Sequence, residues 1–288
     1  MEQKPPQNNE EFKRDLKFYE GDDKIISSIE RLAQITTEKT DGIRFKTGMK
    51  RFDELIDGLE TGELIAMTGK PKSGKTLFAQ TLTRNLKKAD VNSLWFQYEL
   101  PDRQFLSRYG EENLPMFYLP QQLKGRDLNW IETRILEAKI KYDVRFVVID
   151  NIHFLIDYEK KVNMTAEIGA IVRRLKEIAI TNELVIMVLS HAKRLTDFQT
   201  EDENMFRDSS SLPAESDKSW VIRRIQDPIT GEYNNYAEVI VVLDRQTGTM
   251  RKVVKFKLGV DGFLSEAEHD VDISNIEPKK KKIKNLFN

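Results

Sequence analysis

Eight consecutive residues carry the clearest chemical pattern in the chain, Gly69-Lys70-Pro71-Lys72-Ser73-Gly74-Lys75-Thr76. They match G-x-x-x-x-G-K-[ST] at every fixed position, the pattern of a loop whose backbone N–H groups cradle phosphates. Gly69 and Gly74 permit the backbone angles that turn those N–H groups toward one point. Lys75 can reach the β- and γ-phosphates, and the Thr76 hydroxyl can ligate Mg²⁺. The pattern predicts a nucleoside triphosphate site, with an ordinary glycine turn before a helix as the structural alternative.

Three polar side chains follow apolar runs and could complete such a site. Asp150 ends the run VRFVVID, where a carboxylate can hold Mg²⁺ through water opposite Thr76. Glu99 ends SLWFQYE, where a carboxylate can orient and deprotonate an attacking water. His191 follows LVIMVLS and could sense the γ-phosphate. Helix capping by either carboxylate and a plain surface position for His191 are the alternatives.

The elements that must position these side chains alternate along the chain. Apolar runs predict strands at 64–67, 93–98, 116–119, 144–149 and 184–189, and helical spacing predicts helices at 76–86, 101–109, 127–141 and 166–181. Three more strands are predicted at 220–224, 237–243 and 253–258. This order indicates an α/β fold. It has a mostly parallel central sheet flanked by helices on both faces, with antiparallel C-terminal edge strands.

The remaining segments suggest how the chain is divided. We expect a disordered N-terminal lead over 1–21, a linker helix over 22–44, the catalytic core over 45–268 and a flexible Lys-rich tail over 269–288. The linker helix has an apolar face that must dock, either on its own core or on a neighbouring subunit.

Composition excludes several classes of protein. The 288 residues include 46 Lys plus Arg and 47 Asp plus Glu, so a globally basic nucleic-acid coat is excluded. The absence of Cys excludes disulfides, thiolate zinc, iron–sulfur clusters and a Cys nucleophile. No apolar run approaches the ~18 residues of a membrane helix, and no export signal is visible. We therefore expect no membrane contact and a cytoplasmic location, or the host cytoplasm for a viral protein.

Five segments, in order, resemble the ATPase core of DnaB-like replicative helicases, a RecA-like P-loop NTPase. They are FKTGMKRFDELIDGLETGELIAMTGKPKSGKT, SLWFQYELP, VRFVVIDNIHFL, EIGAIVRRLKEIAITNELVIMVLSHAKR and AEVIVVLDRQTGTMRKVVKF. The resemblance covers about residues 25–265. Because only residues 1–44 precede the expected core, it implies the motor without the family's N-terminal primase-binding domain.

The resemblance also implies roles for individual residues. Lys75 and Thr76 would bind ATP and Mg²⁺, Asp150 would be the magnesium-side acid, and Glu99 would be the catalytic base. His191 stands where the family usually has Gln.

A further role would fall on a residue near the C-terminus. Arg245 falls on the arginine finger that the family donates to the neighbouring subunit's nucleotide. Leu243 stands where the family carries a Lys two positions earlier. A solvated turn Arg is the alternative for Arg245.

Nucleic-acid contacts are also implied by the resemblance. In RecA-fold hexamers two loops line the central pore, and here these are about 157–166 and 193–218. The second loop also carries several acidic residues, so two acidic-leaning surface loops are the alternative. The basic residues expected to contact single-stranded DNA are Lys160, Lys161, Lys193 and Arg194.

The family resemblance implies a DNA helicase or translocase motor. Such a motor is a homo-oligomer, expected as a hexameric ring, and works with replication proteins. Two other classes share the fold: a recombinase-like or regulatory DNA-dependent ATPase that does not unwind DNA, and a loader that binds nucleotide to control assembly. Because His191 and Leu243 differ from the residues that the family has at these positions, the loader remains an alternative.

Overall fold

The computed structural model describes residues 10–21, 23–38, 42–110, 114–125, 127–156, 164–191, 211–226 and 233–267. The chain divides into two units, residues 1–41 and residues 42–288, which are described separately here. Within the described ranges, every helix is too short or too polar to cross a membrane.

In the described part of the first unit there are two helices, α1 (Glu10–Lys17) and α2 (Ser28–Glu38). Helix α1 lies within the lead expected over 1–21. Lys13 forms an ion pair with Glu10 at 3.2 Å. Basic residues occupy the last turn, where their positive charge interacts favourably with the negative end of the helix dipole. The expected linker helix starts later than position 22, because the Ser27 hydroxyl accepts a hydrogen bond from the Glu30 N–H at 3.1 Å and caps α2.

The second unit is built on a sheet that has eight strands among the described residues. In chain order the strands are β3 (Leu64–Gly69), β4 (Asn92–Gln97), β5 (Val144–Asp150), β6 (Val185–His191), β7 (Lys218–Gln226), β8 (Tyr233–Asp244), β9 (Lys252–Leu258) and β10 (Leu264–Glu266). Their order across the sheet is β10-β9-β8-β7-β3-β6-β5-β4. Strands β3 to β7 are parallel, whereas β8, β9 and β10 pair antiparallel. This confirms the predicted mostly parallel sheet with antiparallel C-terminal edge strands.

Helices cover both faces of this sheet, as predicted. On one face α6 (Leu128–Tyr142) and α7 (Met164–Thr181) bury residues such as Ile131 and Leu175. On the other face α3 (Lys50–Ile56) and α4 (Lys75–Lys88) bury Phe52 and Phe78. A separate small sheet pairs β1 (Arg44–Phe45) with β2 (Leu59–Glu60). The helices of this unit are α3 (Lys50–Ile56), α4 (Lys75–Lys88), α5 (Asp102–Ser107), α6 (Leu128–Tyr142), α7 (Met164–Thr181) and α8 (Ser211–Glu215), with a 3-10 helix at Ile152–Leu155.

The prediction of a full strand at 116–119 was wrong. Only Tyr118 forms a bridge there, beside Leu94. The Trp95 N–H donates to the Tyr118 carbonyl and the Tyr118 N–H donates to the Ser93 carbonyl, both at 2.9 Å. Prolines at positions 115 and 120 lack the N–H groups that a longer ladder needs. The segment therefore covers the outer edge of β4 without extending the sheet.

The parallel strands bring their carboxyl ends to one edge. In the strand register Gly69 lies opposite His191, and Gln97 lies opposite Asp150. The residues that follow these four strands consequently meet at this edge, which we call the carboxyl edge. The opposite edge, where β3 begins, is called the amino edge.

Candidate nucleotide-binding site

The phosphate loop connects the end of β3 to the start of α4. A Cβ on Gly69 would lie 2.5 Å from the Ile222 carbonyl oxygen and 2.5 Å from Ser73 Oγ, so only glycine fits there. Gly74 has a φ of 103° and Lys72 a φ of 65°, so the loop turns through left-handed conformations on both sides of Ser73. The loop thus enters α4 with the helix N-terminus aimed at the carboxyl edge, where it favours an anion.

The Lys75 ammonium is buried inside this loop. Its Nζ donates to the Gly69 carbonyl at 2.9 Å and to the Lys70 carbonyl at 3.3 Å. Burial lowers the pKa of Lys75, while the charges of Glu99 and Asp150 oppose that shift. The ammonium is therefore held among weak backbone acceptors, from which it can be transferred to a stronger phosphate acceptor.

Asp150 and Thr76 are in direct contact. The Thr76 hydroxyl donates to Asp150 Oδ2 at 2.7 Å, and the Asp150 side chain is fully buried. Burial raises the pKa of Asp150 to about 6, and the hydrogen bond from Thr76 opposes that shift. Asp150 Oδ1 has no hydrogen-bond partner among the described residues. A hydroxyl and a carboxylate with one unpaired oxygen are a donor set of hard oxygens, which fits Mg²⁺.

Glu99 and His191 lie side by side, as neighbouring strand ends allow. Glu99 Oε1 is 3.7 Å from His191 Nε2, and about a third of each side chain is exposed. The Asn151 amide donates to His191 Nε2 at 2.9 Å, which leaves the ring proton on Nδ1. Burial lowers the pKa of His191, and the positive charge of Lys75 adds to that effect. The imidazole is thus neutral and fixed in one tautomer beside a carboxylate.

Two members of this cluster were missed by the sequence analysis. Asn151 lies between Glu99 and His191, and its only sequence signal is its place directly after Asp150. His153 stacks on His191 with ring centroids 6.0 Å apart and an interplanar angle of 14°. Burial lowers the pKa of His153 as well.

Arg245 lies on the other edge of the sheet from this cluster. Strand β8 runs antiparallel to β7, and Asp244 pairs with Lys218, which itself lies beside Ile65 near the start of β3. Gly69 lies four positions after Ile65 on β3, which is about 13 Å along the strand. Arg245 Nε donates to the Ser216 carbonyl at 3.0 Å, and a second guanidinium nitrogen donates to the Ala214 carbonyl. The structure therefore does not bring Arg245 to the phosphate loop of its own chain.

A buried ionic network supports the turn that carries Arg245, and sequence reasoning missed it. Lys218 is fully buried, and its Nζ lies 2.8 Å from Glu63 Oε1 and 3.0 Å from Asp244 Oδ2. Asp244 Oδ1 accepts hydrogen bonds from the backbone N–H groups of Gln246 and Thr247, each at 3.0 Å. The backbone of the turn is thereby fixed by a fully buried carboxylate.

The predicted nucleic-acid residues Lys160, Lys161, Lys193 and Arg194 lie outside the described residues, as does the tail 269–288. Leu243, where the family has Lys, lies within β8 opposite Ser219.

The chain is similar in sequence to replicative DNA helicases over more than half of its length. A probable replicative DNA helicase of Guillardia theta is 26% identical over 204 residues, covering 59% of this chain and 34% of its own length. The replicative DNA helicase DnaB of Buchnera aphidicola subsp. Schizaphis graminum is 24% identical over 256 residues, covering 76% of this chain and 54% of its own length. The chain thus spans about a third of the length of the first of these relatives and about half of the length of the second.

Solved structures share the fold. One solved ATPase domain superposes with a TM-score of 0.69 at 20% identity, covering 84% of this chain and 99% of that one. A DnaB-like replicative helicase, solved in a study of its interactions with primase, superposes with a TM-score of 0.67 at 20% identity. The match covers 86% of this chain and 69% of that one. These neighbours confirm the predicted RecA-like fold, and with the curated relatives they confirm the resemblance to DnaB-like ATPase domains.

The family comparison agrees with the geometry of the loop. The model of the family described as AAA domain matches residues 30–197, more than half of the chain. This range includes the phosphate loop, Glu99, Asp150 and His191. With a phosphate loop on β3, a carboxylate on β5 and a match of this extent, the chain belongs to the AAA domain family.

Proposed function

We propose that this chain is an ATP-dependent DNA motor of the DnaB-like type, which hydrolyses ATP at interfaces between copies of itself and moves on single-stranded DNA. The observation that carries the proposal is the division of charged groups between two edges of one sheet. The carboxyl edge holds a phosphate loop, a buried acid and a carboxylate that is about one-third exposed, whereas Arg245 lies at the amino edge. A complete site on this plan needs two chains.

Each group at the carboxyl edge has a distinct part in the proposed reaction. The loop N–H groups and Lys75 would bind the β- and γ-phosphates of ATP. Thr76 and Asp150 would hold Mg²⁺, which when bound offsets negative charge on the phosphates. Glu99 would accept a proton from the attacking water, since it is close to His191 and Lys75 yet open to solvent.

His191 and Asn151 would position the γ-phosphate end of the site. The Nδ1–H of His191 is buried and has no hydrogen-bond partner among the described residues. Asn151 fixes this tautomer from the other side of the ring. The His at this position would therefore place a neutral polar ring where the family has Gln.

Arg245 would act on the nucleotide of a neighbouring copy. An arginine supplied across an interface neutralises charge on the transferred phosphoryl group and contributes ~10³-fold or more to hydrolysis. In the single chain its guanidinium is held by the Ala214 and Ser216 carbonyls, which are replaceable acceptors.

The remaining parts of the proposal concern partners. Lys160, Lys161, Lys193 and Arg194 would contact the DNA backbone within a ring, expected to be hexameric, and replication proteins would be further partners. We propose a cytoplasmic location, or the host cytoplasm for a viral protein.

The test measures ATP turnover with and without single-stranded DNA, together with unwinding of a forked duplex. The proposal expects turnover that rises several-fold with single-stranded DNA and strand separation that requires ATP. DNA-stimulated turnover without unwinding would favour the recombinase-like or regulatory ATPase. Nucleotide binding with no turnover under any condition would favour the loader.

A further inference from the structure

Aromatic rings contact one another in two different ways in this chain. In the core they meet tilted or edge-on, as Phe52 does with Trp220 at an interplanar angle of 72°. Among the described residues, near-parallel stacking occurs in pairs that line two surface grooves, where a further planar group can stack on them. These pairs are Tyr98 with Phe154 at 16°, Tyr118 with Tyr142 at 12°, and His153 with His191 at 14°.

The two grooves lie on neighbouring parts of the sheet. The first, which we call the outer groove, lies beside the outer edge of β4 and against α6, has a volume of about 650 Å³ and contains the Tyr118–Tyr142 pair. The second, which we call the edge groove, lies at the carboxyl edge, has a volume of about 740 Å³ and contains the Tyr98–Phe154 pair. Because His191 also lines the edge groove, this groove adjoins the proposed γ-phosphate position.

Residues 118–125 connect the two grooves. Lys124 lines the outer groove and Gly125 lines the edge groove. The Tyr98 hydroxyl donates to the Lys124 carbonyl at 3.0 Å, and a Cβ on Gly125 would lie 3.4 Å from the Phe154 carbonyl oxygen. The segment therefore runs from one stacked pair of rings to the other and forms a wall of both grooves.

The charges that line the grooves favour a polyanion. In the described part of the chain, Glu137 is the only acidic residue that lines either groove, and it pairs with Arg134 at 2.5 Å and with Lys141 at 2.6 Å. Lys124 is exposed on the segment between the stacked pairs and has no carboxylate partner among the described residues. Cations beside ring faces are the combination that binds single-stranded nucleic acid without sequence preference.

One ring of each tyrosine-containing pair remains open to solvent. Tyr142 is 43% exposed and Phe154 is 46% exposed, whereas their stacking partners Tyr118 and Tyr98 are more buried. A nucleobase that stacks on either open ring would extend an existing stack and remove apolar surface from water. Single strands can supply such bases, because the bases of a duplex are already paired and stacked on each other.

We propose that the two grooves form one binding track for single-stranded DNA, separate from the two loops expected to contact DNA. One base stacks on Tyr142 and another stacks on Phe154, while Lys124 contacts the phosphate backbone between them. The inference rests on the proposed function in one respect, namely that single-stranded DNA is a partner of this chain. It adds base contacts to a proposal that otherwise consists of phosphate contacts.

The first experiment needs no variant, because it compares a strand that has bases with one that lacks them. Fluorescence anisotropy would measure the binding of a strand of about 15 deoxythymidines and of an abasic strand of the same length, both with Mg²⁺ and the β,γ-imido analogue of ATP. The basic residues of the expected loops contact phosphates, which both strands share. Stacking of two bases should make the wild-type chain bind the thymidine strand at least about 10-fold more tightly.

Ring substitutions test where this preference for bases arises. The double variant Tyr142→Leu/Phe154→Leu keeps apolar side chains but removes both open ring faces, so the preference should fall below about threefold. The matched control is Tyr236→Leu, because Tyr236 is 37% exposed but lies on β8 and lines neither groove, and it should keep the full preference. Lys124→Gln should also keep the preference, while the slope of log affinity against log salt should become shallower by about 0.7, the value of one phosphate contact.

Photocrosslinking locates the bases directly on the wild-type chain. A strand that carries 5-iododeoxyuridine couples to aromatic side chains on irradiation, and mass spectrometry of the digested chain should find Tyr142 and Phe154 among the modified residues. Crosslinks that map only outside the two grooves would overturn the inference, as would equal affinity of the wild-type chain for both strands or an undiminished preference in the double variant. In each of these results the chain still binds DNA, so the proposed function stands. A wild-type chain that binds neither strand would contradict both.

Discussion

The two edges of the central sheet both bury charged groups, but only one of them satisfies those groups within the chain. At the amino edge the Lys218 ammonium has four oxygen acceptors within 3.4 Å, including the carboxylates of Glu63 and Asp244. At the carboxyl edge Asp150 Oδ1, Ser73 Oγ and His191 Nδ1 have no partner among the described residues. The contrast is between a structural network and a binding site.

This difference shows how the hydrogen bonding of buried polar atoms can indicate function. A buried group that already has its hydrogen bonds stabilises the fold and loses energy when one partner is removed. A buried group without partners destabilises the folded chain until a ligand supplies them. Substitutions at the two edges should therefore change stability in opposite directions.

The largest change in stability should come from disrupting the ionic network of Lys218 at the amino edge. Lys218→Met leaves the carboxylates of Glu63 and Asp244 buried and uncompensated, which should lower the free energy of unfolding by about 3–5 kcal/mol. Urea unfolding followed by circular dichroism would measure it. The control is Lys176→Met, because the ion pair of Lys176 with Asp217 is partly exposed and should contribute only about 1 kcal/mol. Equal losses in the two variants would contradict the account.

The next effect concerns chemistry at the unsatisfied edge. Glu99→Gln removes the proposed base and should lower kcat at least ~100-fold, because a general base contributes about 10²–10⁴-fold. Nucleotide affinity and the unfolding midpoint should stay unchanged, since this carboxylate is about one-third exposed. Asp102→Asn, an exposed carboxylate in the first turn of α5, is the control and should retain full turnover. Turnover that survives Glu99→Gln would contradict the assignment of Glu99 as the catalytic base.

A smaller effect of opposite sign is expected at Asp150. Burial raises its pKa from 3.8 to about 6, so folding favours the protonated acid, and this stability is lost as pH rises through 6. Asp150→Asn should therefore raise the free energy of unfolding of the nucleotide-free chain at pH 7.5 by about 1–2 kcal/mol while abolishing turnover. The gain should shrink as pH falls below 6 and disappear below about pH 4, where the carboxyl is protonated in the unfolded chain as well. Destabilisation at pH 7.5 would show that Asp150 is structural.

The smallest effect should come from the stacked imidazoles. Burial lowers the pKa values of His153 and His191, so the unfolded chain binds protons more readily than the folded chain as pH falls below 6.5. Their contribution to stability is present above that pH and is lost on acidification, while Glu99 partly opposes the shift at His191. The double variant His153→Gln/His191→Gln should show a shallower fall in Tm between pH 7 and pH 5.5. A fall as steep as in the wild type would contradict this.

The fold could be predicted where burial leaves a local signal. Strands β3, β5 and β6 are covered on both faces, so their sequences are continuous apolar runs. Strand β10 has only three residues and left no such run. Its Glu266 accepts hydrogen bonds from the Arg51 and Phe52 N–H groups and caps α3 across more than 200 residues, which no local pattern reveals.

Some residues of the site could be predicted from the sequence, and others could not. Thr76 and Asp150 were expected to face each other because the carboxyl ends of parallel strands share an edge, and they are 2.7 Å apart. Lys218 was expected in the second DNA-facing loop and is instead fully buried. Its ionic network and the buried position of Glu238 were not expected, because their partners come from the pairing of distant strands. The signal for Glu238 was present, as a single charge inside the apolar run AEVIVVL, but its meaning depends on Arg223 in the adjacent strand.

The central claim, that two chains complete one site, is tested most directly by mixing two inactive variants. Lys75→Ala keeps Arg245 but loses the loop, and Arg245→Ala keeps the loop but loses the finger. Each alone should be nearly inactive, while an equimolar mixture should restore turnover, because about one quarter of randomly formed interfaces would pair an intact loop with an intact Arg245.

The control mixes Lys75→Ala with Glu99→Gln, two changes on the same face of the interface, and should restore nothing. Recovery only in the first mixture is the predicted result. Full turnover by Arg245→Ala alone, or no recovery on mixing it with Lys75→Ala, would contradict the account.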